Sequence, residues 1–250
     1  NTKERIMYNI ISIIGFAVSF LFGVLLKKKP FAGKILQVAS ILIGVYKAVF
    51  YIVSNTQGQL AIPVEISSIT YFLMCIVLIF RIQALYGVCS FFGIISAFGF
   101  FLFYSIFGFT LADDFTVKEV VIACVNHGFL LTSGIYLLYE RATDKVDKLK
   151  IWITIFAMLS WSLVFYNIGM PGITFIYYVI KPEFLYVFES MSLNVILITA
   201  YYAVLVSGFA FLVKAYLRVN AKIHGKTTSK TLSSADNLPA GNNEKTQFHG

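Results

Sequence analysis

Residues 6–30 read IMYNIISIIGFAVSFLFGVLLKKKP, an apolar run that ends abruptly in three lysines and a proline. A transmembrane helix needs roughly 20 mostly apolar residues, and the run from Ile6 to Leu26 meets that length. The run is too long for the core of a signal peptide, and a basic segment stands where a small-residue cleavage site would be needed. The stretch therefore predicts a membrane-spanning helix.

The composition of the whole chain extends this conclusion to the rest of the protein. Of the 250 residues, 58% are hydrophobic and 13% are charged, and the mean hydropathy is +0.80. Ordinary soluble domains carry about 25% charged residues, so lipid has to solvate most of this chain. The net charge of +8 does not indicate nucleic-acid binding, because the basic residues sit mostly in short loops and the tail. We expect a multi-pass protein of the cell membrane, with membrane lipids as partners and no nucleic-acid partner.

The apolar runs predict an all-α fold, a polytopic transmembrane helix bundle with seven spans. The spans lie at about residues 6–26, 35–54, 61–80, 85–109, 117–139, 151–170 and 192–213. Together they form a seven-helix transmembrane domain over residues 1–219. Residues 171–190 are aromatic but interrupted by proline, which predicts a re-entrant or interfacial segment on the outer side. The polar composition of residues 220–250 predicts a disordered cytoplasmic tail.

The distribution of basic residues predicts the orientation of the bundle. Lysine and arginine are concentrated in segments 27–34 and 140–150 and in the chain after residue 213. Segment 55–60 has no basic residue, and segment 110–116 carries two aspartates. Because basic loops remain in the cytoplasm, we expect the N-terminus outside and the C-terminus in the cytoplasm.

Several polar side chains interrupt the apolar runs. With the orientation above, all of them fall in the outer half of the membrane: Lys47, Glu65, Ser67, Asn126, His127, Asn167 and Asn194. Polar groups at membrane depth are unfavourable unless they are paired or hydrated, and they often mark a functional site. Their shared depth predicts one polar cavity that opens toward the outer leaflet. Two purely structural explanations stay open, namely a buried Lys47–Glu65 ion pair and a core His127 bonded to Asn126 or to a backbone carbonyl.

Three parts of the chain resemble the YwaF family of bacterial integral membrane proteins. They are residues 62–68 (IPVEISS), residues 126–128 (NHG), and Asn167 followed by residues 172–182 (GITFIYYVIKP). That family is related to a eukaryotic multi-pass membrane acyltransferase. The resemblance therefore implies a lipid-directed enzyme that catalyses acyl transfer or lipid hydrolysis.

The resemblance also implies roles for particular residues. In the family the first motif usually contains a histidine and a cysteine, and that cysteine is the proposed acyl-carrying nucleophile of the eukaryotic relatives. Glu65 and Ser67 stand at those two positions in this chain. Ser67 is thus the candidate nucleophile and His127 its candidate base, as in a catalytic triad. The candidate substrate-binding residues are Lys47, Glu65, Asn126, Asn167, Lys181 and Asn194.

The second hypothesis is a protein without enzymatic activity. It would bind or transport a small amphipathic or anionic ligand, with Lys47 and Lys181 as the contacts for the anionic group. The chain contains no P-loop, Rossmann or HExxH pattern, and its three cysteines lack zinc-ligand spacing. We therefore expect neither a cofactor nor a metal. The substrate and the oligomeric state stay open.

Overall fold

The described part of the chain folds as α-helices, as the apolar runs predict. The computed structural model describes residues 2–27, 29–57, 62–107, 116–167 and 191–235. Within these ranges there is no strand, and the seven α-helices are α1 Thr2–Leu26, α2 Ala32–Thr56, α3 Ile66–Phe80, α4 Tyr86–Phe107, α5 Val117–Glu140, α6 Lys145–Asn167 and α7 Met191–Ala235. A short 3₁₀ helix, Gln83–Leu85, precedes α4.

Five of the described helices are long and apolar enough to cross a membrane. They are α1, α2, α4 with its preceding 3₁₀ turn, α5 and α7. Their outward surfaces carry large apolar side chains, and Leu42, Val204 and Phe211 are 66%, 72% and 68% exposed. Such surfaces are unfavourable in water and suit contact with lipid. The structure thus agrees with a helical membrane protein, although five of the described helices rather than seven have the length and composition of a span.

The third helix is shorter than the sequence predicts. The predicted span begins at residue 61, whereas α3 begins at Ile66 and has 15 residues. Residues 62–64, ahead of the helix, are not helical. Pro63 disfavours helical backbone at Ile62, and the carbonyls of Pro63 and Val64, which a longer helix would use within itself, accept hydrogen bonds from Trp161 and Ser162 instead. The helix therefore starts more than one turn later than predicted.

The last helix is longer than the sequence predicts. The predicted seventh span ends at residue 213 and the predicted disordered tail begins at residue 220, but α7 continues to Ala235. The predicted disorder therefore does not begin at residue 220. Residues 236–250, the rest of the predicted tail, lie outside the described residues.

Asn220 anchors this continuation of α7 to the loop between α5 and α6. The residue is 1% exposed, and its side-chain oxygen accepts hydrogen bonds from the backbone N–H and the hydroxyl of Thr143 at 2.7 and 3.0 Å. Its Nδ2 donates to the carbonyls of Leu138 and Arg141 at 3.1 and 3.0 Å. One turn later, His224 Nε2 lies 3.1 Å from the Leu138 carbonyl oxygen. These bonds satisfy buried polar groups and hold α7 in helical form past the predicted end of the span.

The centre of the bundle is the α4–α5 pair, against which α1 and α3 pack. Small residues let the two backbones approach closely, as they do between helices in lipid. A Cβ on Gly93 would lie 2.7 Å from Met74 Cε and 2.8 Å from the Leu130 carbonyl oxygen. Ser90 Oγ donates to the Gly134 carbonyl at 2.7 Å, which links the helices directly. Ser90 and Gly93 of α4 thus allow the close packing of this pair.

One end of the bundle is basic. Hydrogen bonds link helix ends there. Gln37 Nε2 donates to the Ile79 carbonyl at 2.7 Å, and Lys150 Nζ donates to the Ala84 carbonyl at 2.8 Å. The described basic residues of this end are Lys27, Lys29, Lys34, Arg81, Arg141, Lys145, Lys148, Lys150, Lys214, Arg218 and Lys222. They belong to the segments whose charge predicts a cytoplasmic position.

Helix α6 begins at this basic end with a reciprocal cap. The backbone N–H of Asp147 donates to Asp144 Oδ1 at 2.8 Å, and the backbone N–H of Asp144 donates to Asp147 Oδ2 at 3.1 Å. The fully buried Asp147 carboxylate also lies 3.5 Å from Arg141 and 3.8 Å from Lys150. The bond from the Asp147 N–H lowers the pKa of the exposed Asp144 carboxyl. The arrangement satisfies N–H groups that a helix start leaves unpaired.

Candidate functional site

A cluster of polar side chains forms between α2, α3 and α5, toward the end of the bundle opposite the basic end. We define the polar cluster as Lys47, Glu65, Ser67, Tyr71 and His127. Lys47 Nζ lies 4.7 Å from the centroid of the Tyr71 ring, and the centroids of the Tyr71 and His127 rings are 5.8 Å apart. The structure thus brings four of the candidate residues from the sequence together around Tyr71.

Lys47 and Glu65 interact electrostatically without forming a direct ion pair. No carboxylate oxygen of the described residues lies within 4.0 Å of Lys47 Nζ. The ammonium group lies instead over the Tyr71 ring at 4.7 Å and near the Tyr46 ring at 5.8 Å. Cation–π contacts of this kind offset part of the free energy lost when an ammonium group leaves water. The direct Lys47–Glu65 ion pair, one of the two structural explanations left open, is therefore not formed.

Helix α6 determines where Glu65 lies. Glu65 is the N-cap of α3 and has extended backbone, with φ −79° and ψ 149°. Just before it, Trp161 Nε1 donates to the Pro63 carbonyl at 2.9 Å, and Ser162 Oγ donates to the Val64 carbonyl at 2.6 Å. These bonds hold the segment that carries Glu65, and so they fix the position of its carboxylate relative to α2 and α5.

Ser67 is bonded to Glu65 rather than to His127. Its Oγ donates to Glu65 Oε2 at 3.3 Å, and its neighbour Ser68 interacts with the Tyr51 hydroxyl. A serine nucleophile needs a base within hydrogen-bond reach to remove its proton. That bond to His127 is not formed, so the catalytic pair implied by the resemblance is not assembled in this structure.

His127 is held in one orientation by its own helix and by a ring of α4. Nδ1 lies 3.0 Å from the Ala123 carbonyl oxygen, and the imidazole stacks on Phe100 with centroids 3.7 Å apart and planes 4° apart. Because a carbonyl only accepts, Nδ1 carries the hydrogen, and Nε2 of the neutral ring is then an acceptor. This is the core histidine bonded to a backbone carbonyl that the sequence left open. The same orientation leaves Nε2 able to accept a proton.

Tyr71 is the member of the cluster that the sequence analysis missed. Its side chain is 2% exposed, and its hydroxyl has no hydrogen-bond partner among the described residues. Buried hydroxyls are nearly always hydrogen-bonded, so this hydroxyl is a candidate ligand contact. The signal in the sequence was its spacing, because a residue four positions after Ser67 shares its helix face.

The remaining candidate residues lie outside the polar cluster or outside the described residues. Asn126 is buried, but its side chain leaves α5 in a direction about 100° around the helix axis from that of His127. Asn194 is buried near the start of α7, which packs against α5 and α6. Asn167 is the last residue of α6. Lys181 and the predicted outer segment 171–190 lie outside the described residues.

The fold and the polar cluster define a class of protein, one whose described residues form a helical bundle with several helices of membrane-spanning length and a polar site between them. Within the described ranges, no three His, Cys, Asp or Glu side chains are arranged to hold a metal ion. Compared with known proteins, the chain matches no family model, no curated protein and no solved structure.

Proposed function

We propose that the chain is a multi-pass protein of the cell membrane whose polar cluster binds a small amphipathic ligand. In the proposed topology all seven helices cross the membrane, with the N-terminus outside and the C-terminus in the cytoplasm. The basic end then faces the cytoplasm, as basic segments of membrane proteins do. Helix α3 alone is about 22 Å long, and the preceding residues 62–65, if extended, add about 13 Å, which together match a bilayer core.

The observation that carries the binding proposal is that two polar groups of the cluster, the Lys47 ammonium and the Tyr71 hydroxyl, lack a full set of partners among the described residues. Lys47 has no carboxylate within 4.0 Å among the described residues, and the buried Tyr71 hydroxyl has no described partner. Such groups are unfavourable at membrane depth unless something binds them. A ligand with a polar head and an apolar tail suits this site, because its head reaches Lys47 and Tyr71 while its tail stays among apolar side chains.

The experiment that tests this proposal is the recovery of bound amphiphile with the purified protein. The protein is extracted in a neutral maltoside detergent, and the small molecules and lipids that it retains are quantified by mass spectrometry. We expect wild type to retain an amphiphile that Lys47→Met loses. Lys34→Met is the matched control, because Lys34 is exposed at the basic end. Equal retention by the two variants would show that the amphiphile only coats the lipid-facing surface.

A second candidate function is lipid acyl transfer or lipid hydrolysis by a member of the YwaF family. The observation that favours it is the orientation of His127, whose Nε2 is left as an acceptor by the Nδ1 bond to Ala123. In this reaction Ser67 Oγ attacks the ester carbonyl and its proton passes to Nε2, which returns it to the departing alcohol. Because Ser67 donates to Glu65 in the structure, the reaction requires that bond to break first.

The enzymatic candidate is tested by incubating the purified protein with short-chain phospholipid. Mass spectrometry then measures released fatty acid and newly acylated lipid. The enzyme hypothesis requires turnover by wild type that both Ser67→Ala and His127→Gln abolish. Ser160→Ala is the control, because Ser160 is exposed on α6. Turnover that survives in either of the first two variants would exclude the Ser67–His127 pair.

A further inference from the structure

The polar cluster holds two opposite charges apart. The Lys47 ammonium lies over the Tyr71 ring at 4.7 Å, and the Glu65 carboxylate accepts from Ser67 at 3.3 Å. The two groups interact electrostatically, yet they are not within 4.0 Å of each other. Attraction between unlike charges strengthens as the surroundings become less polar, so direct contact would be favourable here. A separated pair at this depth therefore needs a structural cause and an additional partner.

The structural cause is that the two residues are fixed by different parts of the bundle. Glu65 lies at the end of a segment whose carbonyls accept hydrogen bonds from Trp161 and Ser162 of α6. Lys47 belongs to α2, and the rings of Tyr46 and Tyr71 accommodate its ammonium group. The separation is thus set by backbone contacts on one side and by aromatic packing on the other.

The additional partner has to match both charges. A simple anion bound at Lys47 would leave the Glu65 carboxylate unpaired beside a like charge, and a simple cation bound at Glu65 would leave Lys47 unpaired. Lys47 and Glu65 are both half-buried, so leaving either charge without a partner is unfavourable. The Tyr71 hydroxyl, buried and without a described partner, adds a donor beside Lys47. The site therefore offers two donors to a negative group and one carboxylate to a positive group.

We infer that the ligand of the polar cluster is a zwitterion, with its anionic group bound by Lys47 and Tyr71 and its cationic group bound by Glu65. The inference rests on the proposed binding function and specifies the chemistry of the ligand. The same chemistry occurs in the headgroup of a zwitterionic lipid and in a small free zwitterion. Because such a ligand has no net charge, it neutralises both residues without adding an uncompensated charge to the membrane interior.

The test compares lipids with the same tails and different headgroup charge. Dihexanoyl phosphatidylethanolamine is the zwitterion, dihexanoyl phosphatidylglycerol the anion and dihexanoyl trimethylammonium-propane the cation. Glycerophosphoethanolamine, which lacks the tails, is the free zwitterion. Binding to the full chain in maltoside detergent is measured by native mass spectrometry for wild type, Lys47→Met and Glu65→Gln. Lys34→Met and Glu119→Gln are matched controls on exposed charges.

We expect wild type and both controls to bind the zwitterionic lipid about tenfold or more tightly than either charged lipid, as loss of a charged contact implies. Glu65→Gln should prefer the anionic lipid, and Lys47→Met should prefer the cationic lipid. Binding of the preferred lipid also shows that each variant is folded. Binding of glycerophosphoethanolamine as tightly as the lipid would identify a free zwitterion as the ligand, and weaker binding would identify a lipid.

Two outcomes would overturn the inference. Equal binding of all three lipids by wild type, or shifts of both variants in the same direction, would exclude a zwitterion while leaving the binding function intact. A wild-type protein that binds none of the four probes, while Lys47-dependent retention of an amphiphile is also missing, would overturn the binding function together with the inference.

Discussion

Ser67 Oγ donates a hydrogen bond to Glu65 Oε2 at 3.3 Å, two residues away on the same turn at the start of α3. This bond engages the candidate nucleophile with a carboxylate on its own segment, while His127 is held by Ala123 and Phe100. Two residues that the family resemblance pairs for catalysis thus have different partners. Ser67 therefore positions the Glu65 carboxylate, and a substitution at Ser67 tests the binding proposal.

The role of Ser67 as a support for Glu65 is tested with Ser67→Ala. We expect retention of the bound amphiphile to fall by no more than about fivefold, because a part-buried hydrogen bond contributes only about 1 kcal/mol. Glu65→Gln should change the headgroup preference far more than Ser67→Ala does. Mass spectrometry of retained amphiphile checks both variants in one preparation. Complete loss of retention in Ser67→Ala would show that the hydroxyl contacts the ligand directly.

The hydrogen bond from Trp161 to the Pro63 carbonyl holds the start of α3. Trp161→Phe removes the N–H and keeps an aromatic ring, so we expect the protein to lose about 1 kcal/mol of stability. Thermal unfolding in detergent measures the change. Trp152→Phe is the matched control on the same helix, because Trp152 packs against buried apolar side chains of α4, α6 and α7. A loss of stability in the control that equals the loss in Trp161→Phe would show that the aromatic area matters rather than the bond.

The close approach of α4 and α5 is tested by adding one methyl group at two places on α4. At Gly93 a new Cβ would lie 2.8 Å from the Leu130 carbonyl oxygen, whereas at Gly99 no atom lies within 4 Å. We expect Gly93→Ala to lose about 1–3 kcal/mol of stability through overpacking. Gly99→Ala should be neutral or slightly stabilising, because alanine favours the helix. Similar melting temperatures for the two variants would contradict the packing of this pair.

The cap at the start of α6 gives the stability of the protein a dependence on acid. The bond from the Asp147 N–H lowers the pKa of the Asp144 carboxyl in the folded protein. A lowered folded-state pKa contributes stability that is present above the unfolded-state pKa of about 3.9 and is lost as pH falls through the folded value. Asp144→Asn keeps the capping oxygen without the titration, so its melting temperature should fall less between about pH 5 and pH 3.

Parallel profiles of wild type and Asp144→Asn over this range would contradict the role of the Asp144 carboxylate. Lys145→Gln is a useful comparison, because it alters a neighbouring charge at the same helix start without removing the cap. Its profile should keep the wild-type slope. The measurement depends on the difference between variants, since other carboxylates also titrate in acid.

The helices themselves could be predicted from the sequence wherever an apolar run is long. The length of each apolar run was sufficient to locate α1, α2, α4, α5 and the apolar part of α7. A helix that crosses a bilayer needs an apolar run long enough to span the hydrocarbon core. The start of α3 could not be placed in the same way. A hydropathy profile does not show that Pro63 disfavours helical backbone at Ile62, or that Trp161 and Ser162 donate hydrogen bonds to the non-helical segment that follows. The extent of α7 depended on Asn220, whose partners lie on another loop.

The polar cluster was predictable in part. Lys47, Glu65 and His127 stand out in apolar runs, and alternating helix direction gives them a common depth. Tyr71 and Phe100 do not stand out, because aromatic residues are ordinary members of such runs. Their contacts with Lys47 and His127 depend on how the helices rotate against one another. Helix rotation is set by packing, as at Gly93, which no single run of sequence reveals.

Photo-cross-linking of an amphiphile to the polar cluster is the decisive test of ligand binding there. A short-chain phosphatidylethanolamine with a diazirine in its headgroup is bound to the full chain, activated by light and mapped by peptide mass spectrometry. Labels that an excess of the unmodified lipid removes report the specific site. We predict that these labels fall on residues 46–51 and 65–72, around Lys47, Glu65 and Tyr71. Specific labels confined to the basic end or to the outer face of α7 would contradict it.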